Sequence, residues 1–139
     1  MKTFLLEIIT PSKVSFSEEV EMVTVPSKNG LLGILPNHVP LMANLTEGEL
    51  KIRKKGEDYF VAIGGGYLEV KTEKVQILVT RAVREDELNE KTILKAKKEA
   101  EEALLRKPTA EEFRTASALL RSSLIDLKIL SKRKRFKQQ

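Results

Sequence analysis

The distribution of glycine and proline along the 139 residues constrains the fold more than any other sequence feature. All seven glycines and four of the five prolines come before Arg84, where short apolar runs alternate with turn residues. From Asp86 to Lys107 there is no glycine, no proline and no aromatic residue. Because glycine and proline mark turns and interrupt helices, we expect a β-rich domain over residues 1–84 and a helical domain over residues 85–139.

The first part contains short strand-like runs separated by turn signals. Asn29-Gly30 is a strong turn signal after one run, and the polar segment Lys54–Asp58 separates two others as a hairpin loop would. No run of ten or more residues in this part has helical periodicity. This spacing indicates an antiparallel sandwich or barrel, with strands predicted at Phe4–Ile9, Val20–Val25, Leu50–Arg53, Tyr59–Ile63, Tyr67–Val70 and Val75–Val79.

The second part indicates two helices with a short connection. Asp86 is predicted to cap the first helix, and Pro108 to end it. Thr109 and Glu112 have the spacing of a capping box at the start of the second helix. Two helices joined in this way form an antiparallel hairpin. The predicted fold class is therefore α+β, an N-terminal antiparallel β-sandwich or barrel followed by a C-terminal two-helix hairpin.

The predicted contact face of this hairpin is thin, because the first helix offers mostly alanine and would bury little apolar area. The second helix also has apolar residues outside its stripe, at Leu119, Ile125 and Ile129. A hairpin docked on the β domain and a hairpin that exchanges its partners both stay open. The predicted stripes are Leu88, Thr92, Ala96, Ala100, Ala103 and Leu104 on the first helix, and Phe113, Ala116 or Ser117, Leu120, Leu124, Leu127 and Leu130 or Ser131 on the second.

The formal net charge of +5 is a property of the C-terminal end. Residues 128–139 carry six basic side chains and no acidic one, and the rest of the chain is close to neutral. That argues against a broad nucleic-acid-binding surface. The tail itself could bind nucleic acid, anionic lipid or an acidic protein surface, and a solvated helix end is the simpler alternative. Its central residues are Lys132, Arg133, Lys134 and Arg135.

Composition excludes several kinds of site. There is no cysteine and only one histidine, which rules out disulfides, cysteine metal sites and multi-histidine metal sites. No stretch approaches the roughly 20 apolar residues of a membrane span, and Glu7 interrupts the first apolar run too early for a signal peptide. We therefore expect no metal and no cofactor. The lack of cysteine fits a protein of the reducing, cytosolic compartment.

Two features invite a catalytic or phosphate-binding interpretation. His38 could act as a general base. However, it lies between Pro36 and Pro40, and no serine or cysteine in a nucleophile-elbow context accompanies it. This favours a histidine that shapes the loop or contacts a partner. The triplet Gly64–Gly66 is not followed by the Gly-Lys-Ser/Thr and helix of a phosphate loop. We expect a bulge or sharp bend there, where strands cross too closely for a side chain. No catalytic residue is predicted.

Two segments carry the pattern of a known family. Residues 29–41, NGLLGILPNHVPL, resemble the G-x-L-G-I-x-P-x-H-x-P-L signature of the epsilon subunit of bacterial F-type ATP synthase. Residues 59–70, YFVAIGGGYLEV, are similar to its second signature, a glycine pair followed by x-L-E-V. Gly48–Ile52, Phe16-Ser17 and Ala100–Glu102 agree as well. The resemblance extends over nearly the whole chain.

The resemblance implies a non-catalytic rotor subunit that couples proton translocation to ATP synthesis. Such a subunit sits at the foot of the central stalk, against the gamma subunit and the c-subunit ring, peripheral to the cell membrane on its cytoplasmic side. Its hairpin folds down on the sandwich or extends along gamma, where basic residues near its end meet the alpha and beta subunits and inhibit ATP hydrolysis. The implied partner contacts are Leu31, His38 and Pro40, and the implied inhibitory residues are Lys132, Arg133, Lys134 and Arg135.

One departure from the family concerns nucleotide. Some members bind ATP through Leu/Ile-Asp-x-x-Arg-Ala at the start of the first helix, and the matching residues here run from Leu88 to Ile93. Asn89 replaces the aspartate and Thr92 replaces the arginine, so the guanidinium that would face phosphate is missing. We assign no nucleotide-binding residues. The alternatives are a nucleic-acid- or acidic-protein-binding module that uses the basic tail, and a hydrolase that uses His38.

Overall fold

A computed structural model describes residues 2–137, with side chains through Arg133. The chain divides into two compact units, Met1–Arg84 and Glu85–Gln139. The first unit is built of strands and the second of helices, which is the α+β class predicted from the sequence. Within the described residues the elements are β1 Phe4–Ile9, β2 Val14–Val20, β3 Met22–Ser27, β4 Gly30–Ile34, β5 Leu41–Leu45, β6 Gly48–Lys54, β7 Glu57–Ile63, β8 Gly66–Val70, β9 Lys74–Val79, β10 Ala82–Arg84, a 3-10 turn Glu85–Glu87, α1 Glu90–Leu105 and α2 Ala110–Lys137.

The strands form a nearly closed sandwich or barrel. Their order is β10-β7-β6-β3-β5-β8-β9-β1-β2, with β4 paired to β3. The sheet bends back on itself where the Glu21 amide donates to the Arg53 carbonyl at 2.8 Å and Lys54 pairs with Glu18. The described strand pairs are antiparallel, as predicted, except for β1 with β9, which is parallel. Most of the domain connects these two strands, and no hairpin turn therefore sets their direction.

Side chains alternate between the core and the surface along most strands. On β9 every second residue, from Val75 to Val79, is buried, as the two-residue period of a strand requires. Strand β7 departs from this rule, since Phe60–Ile63 are buried without interruption. The resulting apolar core comprises Leu6, Ile8, Val20, Val23, Val25, Ile34, Leu45, Leu50, Ile52, Val61, Ile63, Leu68, Val70, Val75, Ile77 and Val79.

Strands β2, β4, β5 and β10 were not predicted, and the predicted strand Val20–Val25 is broken at Glu21. Strand β2 has mostly serine and glutamate between Val14 and Val20, and β10 has three residues. Local propensity is weak in such segments. They become strands because neighbouring strands pair with them, and that pairing comes from the tertiary structure.

The Gly64–Gly66 segment passes directly against the end of β9 and the connection that follows it. A Cβ atom on Gly64 would overlap the hydroxyl of Thr80, and a Cβ atom on Gly66 would overlap the carbonyl oxygen of Leu78. Neither glycine needs a positive φ, so the constraint is space and not backbone conformation. The predicted bend is confirmed, and the predicted lack of room for a side chain is confirmed at Gly64 and Gly66.

We expect Gly66→Ala to destabilise the β domain by about 1–3 kcal/mol, because the added methyl group meets backbone that cannot move aside. Gly65→Ala is the matched control, since its Cβ atom would lie 3.6 Å from the Leu45 carbonyl oxygen, an ordinary contact. Urea unfolding followed by tyrosine fluorescence reports on this unit alone, because Tyr59 and Tyr67 are the two tyrosines of the chain. Equal midpoints for the two variants would contradict the packing argument.

Helix α1 begins one turn later than predicted. Its N-cap is Asn89, whose side-chain oxygen accepts a hydrogen bond from the Thr92 amide at 3.1 Å. The prediction that Asp86 caps this helix was wrong, because Glu85–Glu87 form a separate 3-10 turn. Asn89 has the extended backbone, φ −118° and ψ 113°, that lets a cap side chain turn back to the first amides.

Helix α2 begins with the predicted capping box. The Glu112 amide donates to Thr109 Oγ1 at 3.1 Å, and the Thr109 amide donates to Glu112 Oε1 at 3.3 Å. Just before it, Lys107 has a φ of 52°, which turns the chain between the two helices. The prediction of a tight helix–helix connection at Pro108 is confirmed.

The inner faces of the two helices differ in part from the predicted stripes. On α1 the buried residues are Ile93 and Ala100, whereas Thr92 is exposed. The predicted stripe was counted from Leu88, which precedes the helix. On α2 the predicted Phe113 and Leu124 are exposed, and Ile129, predicted to lie outside the stripe, is fully buried. Among the described side chains of α2, the buried ones are Ala116, Ser123, Asp126, Ile129 and Leu130.

Candidate functional site

The connection between β4 and β5, residues 35–40, is held by its own residues. The His38 amide donates to the Leu35 carbonyl at 3.2 Å and closes a turn with Pro36 and Asn37 at its centre. Proline presets φ at the first central position, and Asn37 has a φ of 64° at the second. This is the pattern of a type II turn. The loop thus presents a well-defined shape at the surface of the β domain.

The imidazole of His38 is bonded to the backbone of the same loop. Its Nδ1–H donates to the Val39 carbonyl at 2.8 Å, and this nitrogen carries the proton because a carbonyl oxygen only accepts. Within residues 2–137 the structure records no carboxylate or hydroxyl group bonded to the ring. A general base needs an oriented partner or nucleophile, so this geometry favours the shape or contact role of His38.

The predicted contact residues lie on two successive elements. Leu31 is on β4 next to the hairpin turn, with 76% of its surface exposed. His38 and Pro40 lie in the loop beyond the other end of the same strand. Leu35 and Val39, exposed at 56% and 70%, belong to the same segment and were not predicted. The sequence feature that could have predicted their exposure is the alternation of apolar residues with prolines in a loop too short to bury them. Three large apolar side chains, Leu31, Leu35 and Val39, are thus exposed within nine residues of chain.

The basic tail is partly engaged within the helical unit. The side chains of Lys132 and Arg133 are half-buried, and the Arg133 guanidinium donates to the Glu85 carbonyl at 3.0 Å. Lys134 and Arg135 belong to α2, but their side chains lie outside the described residues. Arg133 therefore ties the end of α2 to the beginning of the hairpin, a contact that sequence reasoning did not anticipate.

A polar network lies on the outer face of the β domain. The Glu7 carboxylate accepts hydrogen bonds from Lys74 and Gln76, each at 3.2 Å. These two bonds hold the pKa of Glu7 below its ordinary value, the ammonium of Lys74 contributing most. The network joins the parallel strands β1 and β9. Its role is structural, because its hydrogen bonds join neighbouring strands of the sheet.

Two absences among the described residues bear on the kind of site. In the part of the chain that the structure describes, no three histidine, aspartate or glutamate side chains converge as metal ligands would. No described helix combines the length and apolar character that crossing a bilayer requires.

Comparison with known proteins places the chain in a family. Residues 3–85 match the model of the family described as ATP synthase, Delta/Epsilon chain, beta-sandwich domain. An ATP synthase epsilon chain of Herpetosiphon aurantiacus is 40% identical over 129 residues, which is 93% of this chain and 95% of the relative. The chain belongs to the ATP synthase epsilon chain family. The alignment continues into the helical unit, so the relationship is not confined to the sandwich. Epsilon chains are non-catalytic subunits, in agreement with the prediction that the chain is not an enzyme.

Two solved structures have a similar fold. One is a chain of the Euglena gracilis mitochondrial ATP synthase, solved by cryo-EM as an OSCP/F1/c-ring assembly, with a TM-score of 0.64 and 23% identity over 96% of this chain and 80% of that chain. The other is from the central stalk/c-ring of the Tetrahymena thermophila mitochondrial ATP synthase, with a TM-score of 0.54 and 16% identity over 91% of this chain and 96% of that chain. At these identities the likeness shows the fold alone.

We expect Arg133→Ala to loosen the C-terminal part of α2. Removing a charged donor from a half-buried carbonyl should cost about 1 kcal/mol, which speeds local amide exchange roughly five-fold. Lys128→Ala is the matched control, because Lys128 is an exposed basic residue on the same helix. Hydrogen–deuterium exchange of peptides spanning residues 124–133 measures the effect. The same exchange rate in both variants would contradict the assignment.

Proposed function

We propose that this chain works as the epsilon subunit in the rotor of a proton-translocating ATP synthase. The β domain, residues 1–84, anchors it to the gamma subunit and the c-subunit ring and so helps couple proton flow to ATP synthesis. The hairpin, residues 85–139, restrains ATP hydrolysis when its end meets the alpha and beta subunits. The observation that carries the anchoring role is the exposed apolar surface formed by Leu31, Leu35 and Val39 on the β domain.

The two solved structures with this fold belong to assemblies that contain a c-ring, and one of them is a central stalk. We carry that location over to this chain as part of the proposal. The subunit would then lie on the cytoplasmic side of the membrane and reach it through the complex.

A stiff loop suits such an anchor. The turn closed by Leu35 and His38 loses little conformational freedom on docking, because Pro36 and the backbone hydrogen bonds have already restricted it. Burying a fully exposed leucine contributes about 1.5–3 kcal/mol. Leu31, with 76% of its surface exposed, is therefore the residue at which docking has most to gain.

Leu31→Asp should uncouple the complex while leaving the isolated fold intact. The charge would have to be buried at the interface, so affinity for the stalk should fall by roughly ten- to a hundred-fold. Val14→Asp is the matched control, an exposed apolar residue on β2 of the same unit, at 58% exposure. Proton pumping per ATP hydrolysed by the assembled complex is the measurement. Normal coupling in the Leu31 variant would remove Leu31 from the anchoring surface.

The length of α2 suits a lever. Its 28 residues span about 42 Å at 1.5 Å per residue, enough to carry the basic end from the foot of a stalk towards catalytic subunits. Four exposed ion pairs at about 0.2–1 kcal/mol each would give roughly 1–4 kcal/mol if additive. An interaction of this size biases a two-position hairpin without locking it, and salt screens it.

Two variants of the tail should act in opposite directions. Changing Lys132, Arg133, Lys134 and Arg135 together to Ala removes the cations and should raise ATP hydrolysis by the assembled complex. Arg133→Ala alone removes the bond to Glu85 that favours the folded hairpin and keeps three of the four cations. It should therefore lower hydrolysis. The measurement is the ATPase rate at low and high ionic strength, with confirmed assembly.

Higher salt should relieve inhibition in the parent complex more than in the four-Ala complex. The competing account assigns the block to apolar contacts of Ile125 and Ile129, with the charges as bystanders. Equal hydrolysis rates in the parent and four-Ala complexes at low salt would refute the charge-based mechanism and favour the apolar one.

A further inference from the structure

One side of the helical hairpin carries a repeated pattern of leucine and basic residues. Leu94 on α1 and Leu124 on α2 are 46% and 49% exposed. Each lies three residues after one exposed basic side chain and four residues before another, so the basic residues flank the leucine along one side of its helix. We call these six residues the basic leucine face. Its basic members are Lys91, Lys98, Arg121 and Lys128.

Both leucines point to the same side of the hairpin. Leu94 follows the buried Ile93, and Leu124 follows the buried Ser123. Each leucine is therefore rotated by about 100° around its helix axis from a buried residue that marks the inner line, the side of the helix facing the other helix. The helices are antiparallel, because the bond from Arg133 brings the end of α2 back to the start of the unit. In an antiparallel pair, the same rotation from the inner line leads to the same side.

The two leucines also lie at similar heights above the helix connection. Leu94 lies eleven residues before Leu105, the end of α1, a rise of about 16 Å. Leu124 lies fourteen residues after Ala110, the start of α2, a rise of about 21 Å. The two patterns therefore form one surface and not two separate ones.

The charge on this surface is only partly compensated. Lys91, Lys98 and Lys128 make no ion pair within the part of the chain that the structure describes. From Phe113 to Lys137 the one acidic residue in the sequence is Asp126, which is buried. Glu90 and Glu101 on α1 offset part of the charge. The surface thus presents two apolar side chains among basic ones, on a pair of helices lying side by side.

We propose that the basic leucine face binds the surface of an anionic phospholipid membrane. The lysine and arginine side chains contact lipid phosphates, and Leu94 and Leu124 insert at the level of the upper acyl chains, as in other interfacial helices. All six residues of the face come from the hairpin of this chain and none from a partner subunit. The inference therefore does not depend on the anchoring or inhibitory roles proposed above.

Charge complementarity selects an anionic partner, and the apolar residues favour lipid over nucleic acid. Proteins that bind single strands stack successive bases on several aromatic side chains, whereas this side of α2 carries one exposed aromatic residue, Phe113, eleven residues before Leu124. Aliphatic leucines among basic residues on a helix surface are instead the composition of membrane-surface helices.

The strength of binding can be bounded from its parts. Each basic residue near an anionic membrane contributes roughly a five-fold gain in affinity. Four such residues together would contribute on the order of a hundred-fold or more. Binding should weaken with salt, because the membrane potential falls off within a Debye length.

The test is sedimentation of the full chain with vesicles of phosphatidylcholine, alone or with 30% phosphatidylglycerol. We expect binding only to the anionic vesicles. Changing the four basic residues of the face to Gln should lower the affinity at least thirty-fold, with circular dichroism to confirm that the helices persist. A control with the same loss of charge on the β domain should bind within three-fold of the parent. It changes the exposed Lys13, Lys28, Lys55 and Lys71 to Gln.

Insertion can be read separately, because the chain has no tryptophan. Leu94→Trp and Leu124→Trp should each shift their fluorescence to the blue on anionic vesicles and be quenched by lipids brominated in the acyl chain. Val14→Trp is the control, an exposed apolar residue on β2 of the β domain, 58% exposed. It should shift little.

Several outcomes would overturn the inference. Equal binding to neutral vesicles would exclude a charge-selected membrane. An equal loss in the β-domain control would show that net charge alone matters. If the four-Ala tail variant loses all binding while the variant of the face keeps it, the tail and not the hairpin surface is the lipid contact. Tight binding to single-stranded DNA without vesicle binding would assign the face to nucleic acid.

Discussion

The close approach of Gly64–Gly66 to the connection between β9 and β10 is the constraint on which the β domain depends. The Gly64 amide donates to the Arg81 carbonyl at 2.9 Å, and the Thr80 amide donates to the Gly65 carbonyl at 3.0 Å. Two backbones can bond at this point because no side chain stands between them. The chain can then turn from β7 into β8, and the sheet closes around its core. The exposed loop at residues 35–40 is therefore carried by a rigid frame.

The helical unit is held in a different way. Its inner face includes small and polar residues such as Ala100, Ala116 and Ser123, so packing contributes less than in the β domain. Specific local bonds add to it, and the bond from Arg133 to Glu85 is one of them. Arg133 is also one of the proposed inhibitory cations. Arg133 would therefore stabilise the folded hairpin through Glu85 and the extended hairpin through the catalytic subunits. The free energy of each position then depends on the same side chain.

Features that depend on neighbouring residues could be predicted from the sequence. The Thr109–Glu112 capping box formed as predicted, because both of its hydrogen bonds lie within one turn of helix. The Asn29-Gly30 turn lies at the predicted place, since a positive φ at Gly30 needs no distant partner. The bend at Gly64–Gly66 could be predicted because three glycines leave few alternatives. The family signature lies in these same local segments.

Other features were decided only by contacts between distant parts of the chain. The parallel pairing of β1 and β9 and the existence of β10 depend on partners far along the chain, which leave no periodic signal in the strands themselves. Asn89 caps α1 in place of Asp86 because the residues before it take up a separate 3-10 turn. The partner of Arg133 lies 48 residues away, so its bond to Glu85 could not be predicted. Local chemistry therefore determined the turns and helix starts, and long-range packing decided pairing, burial and the surfaces left for partners.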